Sequence, residues 1–209
     1  MHNQPGIYKW IKQILDFALS LVLIILLSPL LIVIWVSILI EMGSPVLYKQ
    51  ERIGLNNKSF VIYKFRSMDH KSEKKQTDEQ RIRLFGKLLR QFRMDELPQL
   101  FNILIGKMSF IGPRPLLPDY LAYYNEIEMR RHEVKPGLSG YSQVSSLNYL
   151  EWEDQFKLDL YYVDNISLKL DAIILFKTVV KILRPSKMVQ TGYAGRPRFD
   201  TYRKQQLEK

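Results

Sequence analysis

The hydrophobic positions of this chain are concentrated in one run near its N-terminus. From Phe17 to Ile40 there are 24 residues without a charge, and 20 of them are apolar. At 1.5 Å per residue a helix of this length measures ~36 Å, which exceeds the ~30 Å hydrocarbon core of a bilayer. No small-residue cleavage site follows the run, so the pattern predicts a permanent membrane segment rather than a cleaved signal peptide.

Ser28 and Pro29 lie at the middle of this run and divide it into halves of twelve residues. Proline removes a backbone donor, and a neighbouring serine hydroxyl can bond the carbonyl that is left free. Two arrangements stay open: a kinked helix that spans the bilayer once, or a re-entrant segment that turns at Ser28 and Pro29 and leaves on the same face. Basic residues flank both ends of the run, which fits the re-entrant arrangement better.

Shorter periodic segments follow and predict a mostly helical domain. Two strands are predicted around a polar turn at residues 56–58. Helices are predicted where apolar residues recur at helical spacing, over Gln80–Phe92, Leu97–Ile105, Pro118–Arg131, Trp152–Tyr162 and Asp171–Leu183. The fold class is therefore α+β, mostly helical, with a short β-hairpin. We divide the chain into a membrane anchor over residues 1–41, a small globular domain over 42–185, and a basic tail over 186–209 that we expect to be loosely ordered.

Composition and charge narrow the possible functions. The chain has 31 Lys and Arg against 21 Asp and Glu, a net charge of +10, and 46% apolar residues, which excludes a disordered chain. The absence of cysteine excludes disulfides, thiolate zinc sites and a cysteine nucleophile, and three histidines are too few for a histidine metal site. The basic predicted helix over Gln80–Phe92 is expected to lie on an anionic membrane surface; packing on the domain core is the alternative.

An adjacent carboxylate pair, Asp95 and Glu96, is the candidate for chemistry. Such pairs are common on solvated surfaces, but Arg90 and Arg93 precede this one, Arg114 follows between two prolines, and Lys64 comes at the end of a predicted strand. Guanidinium groups match phosphate oxygens, so this set of charges favours a phosphorylated substrate. Two carboxylates can also hold Mg²⁺ against phosphates.

Several motifs together make the chain similar to a known family. It resembles the bacterial sugar transferases, small monotopic phosphoglycosyl transferases that act on undecaprenyl phosphate, including the diacetylbacillosamine-phosphate transferases. The matching segments run in family order and cover nearly all of residues 14–183; they are Gly43–Val46, Lys49–Gly54, Tyr63–Met68, Asp95–Leu100, Met108–Pro115 and Arg131–Gly137.

The resemblance implies a mechanism and a location. Asp95 matches the nucleophile, which attacks the sugar-bearing phosphate of a UDP-sugar, releases UMP and passes the phosphosugar to undecaprenyl phosphate. Glu96 joins Asp95 as a catalytic residue and as a Mg²⁺ ligand, while Lys64, Arg90 and Arg114 bind phosphate. Residues 42–185 would be the catalytic domain, facing the cytoplasm on the bacterial inner membrane, with membrane lipids and no nucleic acid as partners. Ser28 and Pro29 match the family's break between two membrane helices, which favours the re-entrant arrangement.

The donor side of the predicted site departs from the family pattern. By resemblance, contacts to the nucleotide-sugar are assigned to Pro113, Gln143 and Asn148. After Gln143 and Val144 the family usually reads Asn-Gly-Arg-Asn, whereas this chain has Ser145-Ser146-Leu147-Asn148. If this loop contacts the donor, the donor or its mode of binding differs from that of closer relatives; neutral drift of the loop is the alternative.

Two other classes of function compete with a transferase. A membrane-tethered basic module would bind anionic lipid or nucleic acid through the net charge of +10 and would give Asp95 no special role. A metal-dependent diphosphate hydrolase would use the same carboxylates but need no lipid acceptor.

Overall fold

The structure is a computed structural model, and it describes residues 6–69, 81–145, 150–183 and 196–208. Its described part is mostly helical with two small sheets of two strands each, which confirms the predicted fold class. Helices are numbered α1–α8 and strands β1–β4 in chain order. Four 3₁₀ segments among the described residues connect parts of the domain and are given by their residues.

The apolar run forms the central part of α1, which extends over Gly6–Met42. Its length and composition are sufficient to cross a membrane, and only 11% of its most apolar window is buried inside the protein. The core helix of a soluble protein buries its apolar residues against other elements. The exposed apolar surface of α1 is therefore unlike that of a core helix and matches a membrane-embedded one.

Ser28 and Pro29 do not separate two helices, contrary to the predicted break. α1 is continuous through both residues, with Pro29 inside it. Proline cannot donate to the carbonyl four residues earlier, that of Ile25. The Ser28 Oγ donates to the Ile25 carbonyl oxygen instead, at 2.8 Å. The hydroxyl replaces the missing donor, so the helix continues past the proline.

Polar contacts fasten both ends of α1 to the globular domain. Near its start, the Lys12 Nζ lies 2.5 Å from the Asp171 Oδ2, and the Asp16 Oδ1 accepts a bond of 3.1 Å from the Phe110 backbone N–H. Just past its end, the Arg66 guanidinium donates to the Gly43 carbonyl oxygen at 2.6 Å. The two ends of the most apolar helix therefore contact the same polar body.

A β-hairpin follows α1, as predicted. Strand β1, Leu47–Ile53, pairs antiparallel with β2, Ser59–Phe65, so that Tyr48 lies opposite Lys64. A 3₁₀ turn over Leu55–Asn57 connects them. Phe60 and Ile62 of β2 are buried in a core cluster against which side chains from the middle of α1 pack, and these are Leu23, Ile24 and Leu27.

Two short helices come next. α2 covers Leu84–Gln91, within the predicted Gln80–Phe92, whose first residue lies outside the described residues. α3 covers Gln99–Leu104, as predicted, and the chain leaves it through Gly106 at φ +74°. A 3₁₀ turn over Met94–Glu96 lies between the two helices and carries the carboxylate pair.

The single helix predicted over Pro118–Arg131 is wrong. The segment is a 3₁₀ helix over Pro118–Tyr123, then α4 over Glu126–Met129, then a 3₁₀ turn over Arg130–His132. Asn125 begins α4 with a capping box, in which its side chain accepts from the Glu128 N–H and the Glu128 carboxylate accepts from the Asn125 N–H. This cap starts a new helix where the periodicity alone suggested a continuous one.

A second sheet was not predicted. Strand β3, Ser109–Ile111, pairs parallel with β4, Gly137–Ser139. Glycine permits the close approach here, because a Cβ on Gly137 would lie 2.1 Å from the Gly112 nitrogen. Helices α5, Tyr141–Ser145, α6, Trp152–Asp164, and α7, Leu168–Leu183, follow, and the last two confirm the predicted helices.

The C-terminal part of the chain is more ordered than expected. Residues Phe199–Leu207 form α8. The Phe199 ring is fully buried in an aromatic cluster whose other members are Tyr120, Tyr124, Trp152 and Phe156. Phe199 anchors the segment in the core, and Tyr202 packs beside it and donates to the Glu153 carboxylate at 2.6 Å. These aromatic residues are scattered among basic ones in the sequence, so no periodic pattern indicated a helix there.

We predict that Phe199→Ala lowers the free energy of unfolding by about 3–5 kcal/mol, because it removes a fully buried ring and leaves a cavity. Denaturant unfolding in detergent, followed by the fluorescence of Trp152 in the same cluster, measures the change. Leu207→Ala is the matched control in the same helix; that side chain is 83% exposed and its loss should cost less than about 0.5 kcal/mol. Equal effects of the two variants would contradict the core role of Phe199.

Candidate active site

The backbone turns sharply just before the carboxylate pair. α2 ends at Gln91, and Arg93 adopts a left-handed conformation with φ +55°, which is uncommon for a residue other than glycine. The 3₁₀ turn over Met94–Glu96 then presents Asp95 and Glu96 side by side. Such local strain is concentrated at functional sites in proteins.

A close helix–loop contact brings the cationic residues towards this turn. A Cβ on Gly86 of α2 would lie 2.1 Å from the Ser67 carbonyl oxygen, so only glycine allows the helix to approach the end of β2. Lys64 comes from β2, and Arg90 comes from the last turn of α2. The approach of these two elements therefore sets the spacing between a strand lysine and a helix arginine.

Glu96 is buried and bound by three cations. The Lys64 Nζ lies 2.6 Å and the Arg114 Nη2 3.3 Å from its Oε1, while the Arg93 Nη1 lies 3.9 Å from its Oε2. Burial acts to raise the pKa of Glu96, but Lys64 and Arg114 outweigh it, so the pKa lies well below its usual range. Glu96 therefore remains negatively charged and holds the cations in place.

Asp95 is in a different situation, although it is the neighbouring residue. Within the described part of the chain, no hydrogen bond or ion pair joins its side chain to another residue. Burial, and then the negative charge of Glu96, raise the pKa of Asp95 to about 6. Two adjacent carboxylates thus have opposite roles: one is fixed and charged, and the other is unbound and close to protonation at neutral pH.

The predicted phosphate-binding residues converge on this pair. Lys64 and Arg114 contact Glu96 directly, as described above. Arg90 is a step further away: its Nη1 lies 3.2 Å from the Met68 Sδ, and its charge acts to lower the pKa of Asp95. Together with Arg93, four cations surround two carboxylates, which leaves a net charge of +2 for an anionic ligand.

The predicted donor-binding residues lie on a neighbouring side of the domain. Pro113 is buried, and its carbonyl oxygen accepts a bond of 3.0 Å from the Gly137 N–H, which fixes the loop that carries Arg114. Gln143 lies in α5 with its Oε1 buried and without a hydrogen-bond partner. Asn148, together with Ser146 and Leu147, lies outside the described residues.

Two basic residues near the site were not assigned from the sequence. Arg93 contacts Glu96, and the Lys181 Nζ donates to the Gln143 carbonyl oxygen at 2.8 Å. Burial, and then the charge of Arg93, lower the pKa of Lys181, so α7 brings a further cation towards the site. The sequence held one signal for Lys181, a lysine inside the strongly apolar segment over Asp171–Leu183.

The carboxylate pair is also the place where a metal ion would bind. Among the described residues no group of three or more histidine, aspartate and glutamate side chains is close enough to hold a metal by itself. Asp95 and the Glu96 Oε2 would supply oxygen ligands, and phosphate oxygens and water would complete the shell that Mg²⁺ prefers. These two residues would therefore hold a metal only together with ligands from a bound phosphate and from water.

Comparison with known proteins identifies relatives over nearly the whole chain. Residues 7–185 match the family described as bacterial sugar transferase. The chain is 42% identical over 192 residues to the uncharacterized sugar transferase EpsL of Bacillus subtilis, covering 90% of this chain and 95% of that relative.

Longer relatives carry names that describe a reaction. The UDP-N-acetylgalactosamine-undecaprenyl-phosphate N-acetylgalactosaminephosphotransferase of Aeromonas hydrophila is 39% identical over 201 residues, covering 91% of this chain and 46% of the relative. The UDP-glucose:undecaprenyl-phosphate glucose-1-phosphate transferase of Klebsiella pneumoniae is 36% identical over 189 residues, covering 84% and 41%. The chain spans less than half the length of these two relatives.

We predict that Asp95 titrates near pH 6 in the free protein, and that Glu96→Gln lowers this pKa. The substitution removes the neighbouring negative charge and leaves Lys64 and Arg114 without their carboxylate, and both changes favour ionised Asp95. Carboxyl carbon-13 shifts of aspartate-labelled protein measure the titration. Asp119→Asn, which removes a carboxylate paired with Arg198 on the surface, is the control and should leave the midpoint unchanged. A midpoint near 4 in the unsubstituted protein would contradict the prediction.

Proposed function

We propose, since the chain belongs to the bacterial sugar transferase family, that it moves a sugar 1-phosphate from a UDP-sugar to undecaprenyl phosphate and releases UMP. Such a step begins the assembly of a polysaccharide or another glycoconjugate on a lipid carrier. The observation that carries the proposal is the unequal carboxylate pair: an unbound Asp95 next to a charged Glu96 that gathers three cations. A purely anion-binding surface has no need of a half-buried, unpartnered carboxylate among its cations.

The reaction is proposed to proceed in two displacements at one phosphorus atom. An Asp95 carboxylate oxygen attacks the sugar-bearing phosphorus of the donor, and the bond to the bridging oxygen breaks. UMP leaves with that oxygen and its electron pair. An oxygen of undecaprenyl phosphate then attacks the same phosphorus, and Asp95 leaves as a free carboxylate. Covalent catalysis replaces the direct meeting of two anionic substrates by two separate steps.

Charge neutralisation is the main task of the surrounding residues. Lys64, Arg90 and Arg114 would contact the phosphate oxygens where negative charge develops, which lowers the barrier most effectively when the donors are already in place. Glu96 keeps these cations oriented before the substrate arrives, because two of them contact its carboxylate. Mg²⁺ held by Asp95 and Glu96 would supply further neutralisation of the diphosphate.

The same proposal places the protein in one leaflet of the bacterial inner membrane, with its catalytic domain in the cytoplasm. Both ends of α1 bind the globular domain through polar contacts, which supports entry and exit on one face. Further apolar side chains are exposed outside α1 and would face lipid; they include Leu84, Phe101, Ile105, Phe176 and Leu183. A lipid phosphate at the membrane surface would then meet Asp95 without leaving the headgroup region.

We predict that the membrane-embedded protein releases UMP from at least one UDP-sugar in the presence of undecaprenyl phosphate, and that Asp95→Asn reduces this release at least ~1000-fold by removing the nucleophile. The panel includes the N-acetylgalactosamine, galactose and glucose donors named for relatives, and UDP-diacetylbacillosamine. Turnover should also fall as the pH drops through about 6, because protonated Asp95 cannot attack.

Mass spectrometry of the protein mixed with donor alone is the second readout. It should show a phosphosugar adduct on Asp95 that undecaprenyl phosphate removes. Asp119→Asn is again the matched control, and it should retain turnover. Release of free sugar phosphate without an acceptor would indicate a hydrolase, and binding to liposomes with no turnover of any donor would indicate a binding module.

The membrane arrangement is testable because the chain has no cysteine. We predict that single cysteines at Gly6→Cys and Gln206→Cys both react with a membrane-impermeant maleimide added from the cytoplasmic side of inverted vesicles. Both positions are exposed, and a Cβ on Gly6 meets nothing within 4 Å. Labelling from opposite sides would establish a spanning helix.

A further inference from the structure

A buried ion pair lies behind the loop that carries Arg114. The Arg131 Nη2 and Nε lie 2.7 and 3.2 Å from the Asp159 Oδ2, and each of the two residues is 1% exposed. Removal of two charges from water is costly, and replacement of such a pair by apolar side chains is often neutral or stabilising. A contribution to the stability of the fold therefore does not explain why this ion pair is present. The other hydrogen bonds of Arg131 and Asp159 indicate a second role.

Arg131 also binds the backbone of the loop that carries Arg114, a proposed phosphate-binding residue. The Arg131 Nη2 also donates to the Arg114 carbonyl oxygen at 2.8 Å. Arg114 in turn directs its guanidinium to Glu96, at 3.3 Å. The position of Arg131 thus fixes the backbone from which a phosphate-binding side chain extends.

Asp159 also binds α5, the helix that carries the predicted donor-binding residue Gln143. The second carboxylate oxygen of Asp159, Oδ1, accepts a bond of 2.7 Å from the Ser142 Oγ. Ser142 lies in α5, which also carries Gln143 and ends at Ser145. Both Ser142 and Asp159 are buried, so water does not replace this bond at low cost.

We infer that Asp159 is a positioning residue of the active site: its two oxygens connect the Arg114 loop and α5, and so set the spacing between the phosphate-binding and donor-binding sides. The inference rests on the proposed function and on the donor contact that the family resemblance assigns to Gln143 of α5. Asp159 touches no reacting atom and acts only through Arg131 and Ser142. A displacement of about 1 Å in such a supporting contact can lower a rate about 100-fold.

A matched pair of serine variants tests the donor side. Ser142→Ala and Ser139→Ala each delete one buried hydroxyl bond, of 2.7 Å to Asp159 and 2.6 Å to Thr178 respectively. In lipid nanodiscs, Ser142→Ala should raise the KM for the UDP-sugar about 3- to 10-fold with kcat nearly unchanged, whereas Ser139→Ala should leave both constants unchanged. Equal effects of the two variants, or no effect of either, would overturn the inference.

A double substitution separates positioning from stability. Arg131→Met with Asp159→Leu replaces the ion pair by apolar side chains, but it also removes the partners of the Arg114 carbonyl and the Ser142 hydroxyl. The melting temperature should therefore fall less than in Asp159→Leu alone, which leaves the Arg131 charge buried without its carboxylate. The value of kcat should nevertheless fall about 10- to 100-fold, because the Arg114 backbone loses its fixed partner. Unchanged kcat in a folded double variant would contradict the positioning role, and if this variant does not fold, the serine pair decides.

The two proposals fail in different ways. No turnover by the unsubstituted protein with any donor argues against the proposed function itself. Normal turnover of the unsubstituted protein, combined with identical behaviour of the two serine variants, removes only the role of Asp159.

Discussion

The neutralisation of Glu96 is the interaction on which the active site depends. Its carboxylate binds cations from three separate parts of the chain: Lys64 of β2, Arg93 before the 3₁₀ turn, and Arg114 of the loop after β3. These residues would repel one another without a shared counter-ion. A buried carboxylate that pairs with several cations at once gains more than a surface ion pair does, because solvent screens it less. Glu96 therefore organises the site before any substrate is present, and Asp95 is left unbound beside it.

The contacts of α1 connect this site to the long apolar helix. A helix that exposes most of its apolar surface must be covered by lipid or by another protein. α1 is held at Lys12 and Asp16 near one end and at Gly43 just past the other, all by residues of the globular domain. Asp16 bonds to Phe110 of β3, and the loop after β3 carries Arg114. The position of α1 and the position of the loop that carries Arg114 are thus connected through one short strand, β3.

The sequence predicted elements with strong local signals and missed those that depend on distant partners. The hairpin and helices α3, α6 and α7 were predicted correctly, because apolar periodicity and turn residues in their own segments determine them. The capping box at Asn125 and Glu128 was overlooked, and the long predicted helix failed there. The β3–β4 pair joins segments about 25 residues apart through glycine contacts that no local pattern shows. Asp95, Glu96, Lys64 and Arg114 converge as the motifs implied. The sequence showed Arg93 only as a cation preceding the pair, and its contact with Glu96 needed the folded chain, as did the position of Lys181.

The charges of the site also bear on how the half-buried Asp95 carboxylate would act as the proposed nucleophile. Four cations and two carboxylates leave a charge of +2, which is close to what the diphosphate of a nucleotide-sugar would neutralise. A carboxylate in a strongly positive site would be ionised but held tightly by its neighbours, and therefore poorly reactive. Here Glu96 takes most of that attraction, and burial keeps the pKa of Asp95 near 6, so its lone pairs stay available. Asp95 and Glu96 thus differ because the cations bind only one of them directly. The three cations that contact Glu96 form no ion pair with Asp95, which leaves its carboxylate available for the proposed attack.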